Sequence, residues 1–358
     1  MASDPQLPFN RDNIRPGDRL CIAISGGADS VALLLAIHQA NAAARNSLGV
    51  GLSAVHVQHG IRDAAETDAD VAFVQDLCIQ LDLPLHLHRA DVPARANENR
   101  ETIEEAAREV RYEYFRQLIH SGHVDSVLTA HTLDDQAETV VMKLLRGAWT
   151  EGLSAIHPVV AVPAAAPGQN SGRILRPLLS TRRSEVEGFL RVHNQTWRTD
   201  STNADIAYTR NRVRHELMPQ LRSFNPAIDQ TLANLAELAR DEEIRWQAEL
   251  ARTLPQVLLP GKPVRGGGRA VSTSLGSKSL AIELERLRAM DPALRRRLLR
   301  AAARQLGSRL SFDDTNRLLA LAGFVSLPTV AGRTGASVHL AQGLRAERSA
   351  RELRLHVE

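Results

Sequence analysis

The first 225 residues of this chain predict an α/β domain built on a parallel sheet, and three observations carry that prediction. Strand-like apolar runs alternate with helical patterns from residue 20 to residue 146. The first run ends in a glycine turn that opens directly into a helix, and later runs end at polar, histidine-containing junctions. Strands connected in this way lie parallel, helices cover both faces, and ligands bind outside the carboxyl ends of the strands. After Asn225-Pro226 the pattern changes to longer helices with short strands in the final 30 residues. The expected division is therefore 1–225 and 226–358, the second part mainly helical.

The first strand is the continuous apolar run Leu20-Cys21-Ile22-Ala23-Ile24, as suits a strand buried on both faces. It leads into Ser25-Gly26-Gly27-Ala28-Asp29-Ser30, with a helix opening at Asp29-Ser30 and running through Val31–Leu35. Such a turn points several unpaired backbone N–H groups at one spot, beside the positive end of a helix dipole, and that spot binds phosphate. Gly26 and Gly27 let the backbone approach an anion closely. Ser25 and Ser30 can donate hydroxyls, and Asp29 is placed to hold a Mg2+ that bridges phosphate oxygens. The string matches neither G-x-x-x-x-G-K-[ST] nor G-x-G-x-x-G.

The second strand, Val50–Val57, runs into His56-Val57-Gln58-His59-Gly60-Ile61-Arg62, where two imidazoles and an arginine can meet phosphate or ribose. A helix over about 64–82 and a short strand at Pro84–His88 follow. The helix over 102–121 carries Arg108, Arg111 and Tyr112 on one side. After the strand Ser126–Ala130 comes His131-Thr132-Leu133-Asp134-Asp135-Gln136-Ala137-Glu138, opening a helix over 133–146. Asp135 and Glu138 are three apart and share a face. Two carboxylates beside a phosphate site call for a cation between them, either Mg2+ or an ammonium substrate. The segment Pro158–Gly172 (PVVAVPAAAPGQNSG) reads as a flexible loop. Beyond it stand Asp200-Ser201-Thr202-Asn203 and then Tyr208-Thr209-Arg210-Asn211-Arg212-Val213-Arg214, whose alternate arginines cannot all face one side of a helix. A helix over 227–253, a glycine-rich loop over 254–279 and helices at about 291–306 and 313–322 complete the chain.

Composition sets the class. The chain has 358 residues with 43% hydrophobic and 24% charged, an ordinary globular balance. No apolar run of about 18 residues exists and the start has no signal-peptide pattern, so the expectation is a cytoplasmic protein without membrane attachment. Cys21 and Cys78 form no C-x-x-C pair, which argues against a disulfide framework, an Fe–S centre or a zinc site. Residues 1–225 carry a net charge of −4 and residues 226–358 a net of +7. A basic carboxyl-terminal part suits a polyanionic partner such as RNA.

Taken as an ensemble, the motifs resemble those of the bacterial tRNA(Ile)-lysidine synthetases, within the PP-loop ATP pyrophosphatase superfamily. They are SGGxDS at Ser25, H-x-x-H-G-[LI]-R at His56, E-A-A-R-x-x-R-Y at Glu105 and A-H-x-x-D-D-Q-A-E-T at Ala130. R-G at Arg146, G-L at Gly152, R-P-L-L at Arg176, D-x-[ST]-N at Asp200 and R-N-x-x-R at Arg210 follow in the family's order. Gln58, Trp149 and Ile156 depart from the family's usual residues. The resemblance implies a Rossmann-like PP-loop ATPase domain, with ATP and Mg2+ used to join free L-lysine to tRNA. The C2 oxygen of the wobble cytidine of a CAU anticodon would attack ATP, giving an adenylated cytidine and pyrophosphate. The lysine amine would then displace AMP. That amine must be neutral, and at pH 7 a lysine of pKa about 10.4 lies roughly 4.6 kcal/mol on the wrong side; a carboxylate or the departing phosphate takes the proton. The resemblance further implies an ATP site of Ser25, Gly26, Gly27, Ala28, Asp29, Ser30, His56 and His131, with Asp29 on the metal. It implies reacting-step roles for Asp29, Asp135 and Arg210, and a lysine site of Arg111, Asp135 and Glu138. Contacts to tRNA would come from Arg212 and Arg214 and from Arg295, Arg296 and Arg297 of the basic part.

Overall fold

Strand β1 (Arg19–Ala23) lies inside a six-stranded sheet ordered β3-β2-β1-β4-β6-β5. The structure is a computed structural model and describes residues 6–61, 64–199, 209–259 and 279–357. Arg62, the segment Asp200–Asn203, Tyr208 and the triple glycine 266–268 therefore lie outside the described residues. Strands β2 (Gly51–Gln58), β3 (Leu85–Arg89), β4 (Ser126–Leu128) and β6 (Gly172–Leu175) are joined to β1 in parallel ladders. Strand β5 (Val159–Val162) pairs antiparallel with β6.

Alternation along β1 sends its side chains to two cores. Leu20 and Ile22, fully buried, pack with Val31, Leu34 and Ile37 of α1 (Ala28–Ala42), Val74 and Leu77 of α2 (Ala64–Gln80), and Phe189 and Leu190 of α7 (Arg183–Val192). Cys21 packs on the other face with Phe115, Leu118 and Ile119 of α4 (Ile103–His120). Each fully buried Leu, Ile or Phe contributes about 1.5–3 kcal/mol of transfer free energy, so the loop that follows β1 is anchored by large apolar burial. Helix α3 (Val92–Asn99), absent from the sequence reading, is a short helix with Pro93 in its first turn; Asp91 caps it by accepting from the Ala94 N–H.

The topology locates the site. The chain builds β1, β2 and β3 outward and then returns to place β4 on the other side of β1, with Cys21 opposite Val127. Strand order reverses between β1 and β4, and in an open α/β sheet the crevice at that switch point binds ligands. It is bordered by the turn from β1 into α1 and by the turn from β4 into α5 (Leu133–Leu145).

The segment 158–172 is not simply a flexible loop: Val159–Val162 forms β5 and Gly172 begins β6, with Val159 opposite Leu175 and Val162 opposite Gly172. The β-branched valines favour a strand, and three of the four cross-strand partners, Arg173, Ile174 and Leu175, lie outside the window whose composition suggested a loop. Helices α6 (Thr150–Leu153), α8 (Thr209–Arg212), a π-helical turn Val213–Leu217 and α9 (Met218–Phe224) lead to α10 (Ile228–Val257). The chain divides into two compact units, Met1–Arg240 and Asp241–Glu358. Leu232, Ala236 and Ala239 of α10 pack with Ala137 and Val140 of α5 and with Val213 and Met218.

The second unit holds an antiparallel sheet ordered β7-β8-β11-β10-β9, from β7 (Leu258–Leu259), β8 (Ser279–Glu283), β9 (Ser337–His339), β10 (Leu344–Arg348) and β11 (Glu352–Val357). Helices α11 (Leu284–Arg288), α12 (Pro292–Gln305) and α13 (Phe312–Ala322) accompany it. Leu298, Leu299, Leu318 and Leu321 share a core with Leu344, Leu353 and Leu355. The sheet is larger than the few terminal strands expected, because β7 and β8 precede the final 30 residues. Among the described residues no helix is long and apolar enough to cross a membrane.

Candidate active site

The glycine turn is built from its own hydroxyls. Gly26 has φ +88°, a conformation that disfavours L side chains, and its carbonyl accepts from the Arg198 N–H at 2.9 Å. The Ser30 hydroxyl donates to the Gly27 carbonyl at 2.9 Å and accepts from the Ser25 N–H at 3.1 Å, so this buried side chain closes the turn. Helix α1 starts at Ala28, one residue earlier than expected, with Gly27 as N-cap and no side-chain cap. The first-turn N–H groups of Ala28, Asp29 and Ser30 therefore keep their anion-binding capacity. His56, buried at the end of β2, has Nδ1 2.8 Å from the Ile24 carbonyl. That acceptor fixes Nδ1 as the protonated nitrogen, and the imidazole props the strand leading into the turn. Burial lowers the His56 pKa, so the ring stays neutral near pH 7.

Asp29 stands in the first turn of α1. Burial pushes its carboxyl up to about 6, against the opposing pull of Arg183, whose Nε lies 3.5 Å from Oδ2. Its Oδ1 is buried without a hydrogen-bond partner. An ionised oxygen left unpaired beside open helix N–H groups fits a divalent cation shared with phosphate oxygens, since Mg2+ commonly takes one or two carboxylates and completes its shell with phosphate and water. Among the described residues no group of three or more His, Cys, Asp or Glu side chains forms a self-sufficient metal site.

Across the switch point, Thr132 and Asp135 close a capping box at the start of α5: the Thr132 N–H donates to Asp135 Oδ2 at 2.9 Å. This leaves Asp135 Oδ1 directed at three arginines, with Arg210 Nη2 at 2.9 Å, Arg183 Nη2 at 3.0 Å and Arg214 Nη2 at 3.4 Å. Glu138, whose side chain is 2% exposed, takes Arg214 in a forked pair at 2.7 and 2.9 Å, Arg210 Nε at 3.3 Å and Arg183 Nη1 at 3.6 Å. Burial alone would raise the Asp135 pKa, but Arg210 and Arg183 outweigh it and hold the carboxyl down to about 2. Arg183 is raised: burial disfavours its charge, and Asp135, Asp29 and Glu138 more than restore it.

The structure brings Asp29, Asp135, Glu138 and Arg210 into one cluster, and it moves Arg214 into that cluster. Arg214 was expected on RNA phosphate; instead its guanidinium grips Glu138. The i, i+4 spacing from Arg210 puts both on one helical side, while Arg212 faces solvent beside Glu216, 64% and 50% exposed. His131 follows β4 with Nδ1 3.1 Å from the Thr129 hydroxyl, and burial pushes its pKa down to about 3. Arg111 is exposed and makes no ion pair or hydrogen bond among the described residues; burial and Arg111 together push His59 down to about 4. Arg176 is buried and fastens α4 by donating to the Tyr112 hydroxyl at 2.9 Å.

Arg295, Arg296 and Arg297 do not form one free patch. Arg295 donates to the carbonyls of Leu287 and Arg288 and lies over the Phe324 ring. Arg296 donates to Asn316 Oδ1 and lies over Phe312. Arg297 pairs with Glu243 at 2.8 Å and lies over Trp246. Their positions on α12 turn the guanidiniums toward neighbours within the second unit.

Arg183 is the functional side chain that sequence reasoning missed. It is the first residue of α7, where a cation opposes the helix dipole, and its backbone N–H donates to Asp134 Oδ2 at 2.9 Å. The pair Arg182-Arg183 at a helix start was the available signal. Around this cluster Arg222 binds Asp134 and the fully buried Asp229 carboxylate.

A PP-loop domain family matches residues 6–221, which include the glycine turn, both acids of α5 and Arg183, Arg210 and Arg214. The TilS substrate binding domain family matches residues 283–353. A tRNA(Ile)-lysidine synthase from Solibacter usitatus is 36% identical over 342 residues, covering 95% of this chain and 68% of that protein. The chain belongs to the tRNA(Ile)-lysidine synthase family. Synthases of this family from Geobacter sulfurreducens and Nitratidesulfovibrio vulgaris are each 36% identical, over 87% and 88% of the chain and 61% and 85% of their own lengths. In fold, the structure is similar to a U34-tRNA thiolase from Methanococcus maripaludis, with a TM-score of 0.50, 15% identity and coverage of 64% of this chain and 75% of that one. The three residues that depart from the synthase family's usual pattern have separate surroundings. Gln58 has a buried, unpartnered Oε1, the Ile156 N–H donates to Gln136 at 3.0 Å, and Trp149 is 74% exposed at the start of α6.

Proposed function

We propose that this chain ligates free L-lysine to C2 of the wobble cytidine of a CAU-anticodon tRNA(Ile), using ATP and releasing AMP and pyrophosphate. The observation that carries the reading is the acid pair Asp135 and Glu138 at the same switch point as the glycine turn, joined to it through Arg183. A phosphate cradle beside a carboxylate pair suits a reaction that couples ATP cleavage to an amine. In the first step the cytidine O2 attacks the α-phosphorus, and the bond to pyrophosphate breaks. The α1 N–H groups and Ser25 hold phosphate oxygens as charge moves onto the leaving group. Mg2+, when bound at Asp29, would supply neutralising charge there. In the second step the lysine amine attacks C2 and AMP leaves. Asp135 and Glu138 orient an ammonium of the substrate, and Arg111, with its guanidinium uncommitted, pairs with the α-carboxylate. His131 and His56, neutral near pH 7, contribute hydrogen bonds at the ATP site and add no charge.

The basic balance of residues 226–358 supports tRNA as the second large partner, and Arg212 is the exposed arginine of the 210–214 segment best placed to meet phosphate. A thiolase-like alternative on the same fold is disfavoured by the cysteines. Cys21 and Cys78 are buried in two separate cores, and burial pushes their thiols up to about 12 and about 11. ATP–pyrophosphate exchange that requires tRNA and proceeds without lysine tests the adenylation step; exchange indifferent to tRNA refutes it.

A further inference from the structure

The three carboxylates of the site are matched by three guanidiniums: Asp29, Asp135 and Glu138 against Arg183, Arg210 and Arg214. Glu138 is 2% exposed and Asp135 10%, so the cluster is poorly hydrated and its charge balance counts. A substrate ammonium added to a balanced cluster would leave an excess cation, and one guanidinium must give way. The geometry points to Arg183: we propose that it is a positioning residue whose guanidinium leaves the acid pair for the phosphate subsite when lysine enters, so that ATP and lysine strengthen each other's binding. This rests on the lysine reading above and deepens it.

Distances select Arg183 over its neighbours. Arg214 holds Glu138 by two bonds at 2.7 and 2.9 Å, and Arg210 holds Asp135 at 2.9 Å and Glu138 at 3.3 Å. Arg183 has one hydrogen bond to the pair, 3.0 Å to Asp135, and looser approaches of 3.6 Å to Glu138 and 3.5 Å to Asp29. Of the three it is the one that already ion-pairs with the acid of the phosphate turn, so a short rotation brings it to phosphate oxygens. Its backbone is pinned by the bond from its N–H to Asp134, so the side chain can swing without moving α7. A guanidinium drawn to a triphosphate leaves Asp135 and Glu138 one cation short and ready for an ammonium. A bound ammonium in turn frees the guanidinium for phosphate. Linkage makes the two effects equal.

Calorimetric titration of the full chain with L-lysine, with and without Mg2+ and α,β-methylene-ATP, reads this exchange. The wild-type Kd for lysine falls by about 5–100-fold when the analogue is present, and the analogue's Kd falls by the same factor with lysine. R183K keeps the charge, but its single nitrogen cannot span Asp29 and Glu138; the factor drops below about 3-fold, and R183Q gives the same loss. Melting temperature identifies folded variants, and R183K decides the matter where R183Q does not fold. A purely structural Arg183 would weaken both affinities and leave their ratio intact. A wild-type factor retained in R183K, or no factor in the wild type, overturns the exchange while leaving the lysine site standing. No lysine binding by the wild type under either condition overturns the lysine reading and the exchange with it.

Discussion

Replacing Asp29 by Asn separates what this carboxylate does for catalysis from what it costs the fold. Its pKa is raised from 3.8 to about 6, with burial as the largest cause. A carboxyl raised on folding disfavours the folded state where it is ionised: the cost grows as pH rises from about 4 to 6 and is constant above. At pH 8 the move is worth about 3 kcal/mol. That shift already contains the opposing pull of Arg183 at 3.5 Å, and solvent screening of the 27% exposed Asp29 side chain reduces the gain to about 1–2 kcal/mol. Asp29→Asn should therefore be more stable by about 1–2 kcal/mol at pH 8, raising Tm by roughly 2–8 °C for a unit of this size. Near pH 5 the gain should fall to about half. The same variant should lose nearly all ATP–pyrophosphate exchange, because an amide keeps the shape and gives up the charge that faces metal and triphosphate. Thermal melts at both pH values, paired with exchange assays, check both halves. A variant less stable than wild type at pH 8 would refute the burial argument, and full exchange activity would remove Asp29 from the chemistry.

Glu138→Gln should raise the KM for lysine roughly 10- to 100-fold, the equivalent of about 1.5–3 kcal/mol for a charge-assisted bond, while adenylation of tRNA survives. Steady-state kinetics in lysine beside exchange assays would show it, and parallel loss of exchange would reassign Glu138 to ATP. Arg297→Ala should cost about 2–3 kcal/mol of stability, because Glu243, 11% exposed, loses the guanidinium 2.8 Å away and Trp246 loses its cover. It should leave the salt dependence of tRNA binding unchanged. Arg212→Ala should do the reverse, altering stability by less than about 0.5 kcal/mol and flattening the plot of log affinity against log salt by about 0.7–0.9. Filter binding across a salt series, with urea melts of both variants, distinguishes the two; exchanged behaviour would place the RNA contact on α12.

What the sequence reveals here is what local chemistry controls. The parallel sheet follows from apolar runs alternating with helical periods, and the phosphate turn from glycines between Ile24 and Val31. The Asp135/Glu138 pair follows from i, i+3 spacing on a helix whose start Thr132 marks. Legibility ends where a side chain's partner is distant in the chain. Arg183 meets Asp29 from 154 positions away, and no local pattern encodes that meeting. The spacing of Arg210 and Arg214 shows that they share a side, but only packing of the π-helical turn against α5 decides that this side faces acids rather than RNA. Val159–Val162 was hidden by the prolines, alanines and glycines that follow it, although its register with β6 makes it a strand. Arg295–Arg297 read as a basic cluster because charge is visible in sequence and the carbonyls, Asn316 and Glu243 that engage them are not.

The most direct test of the central claim is transfer of labelled L-lysine to unmodified CAU-anticodon tRNA(Ile) in the presence of ATP and Mg2+. The expected result is label in RNA at the wobble cytidine, one AMP and one pyrophosphate per lysine joined, and none of this in Asp29→Asn. ATP cleavage to AMP without label in the RNA, or label at another nucleotide, would contradict it.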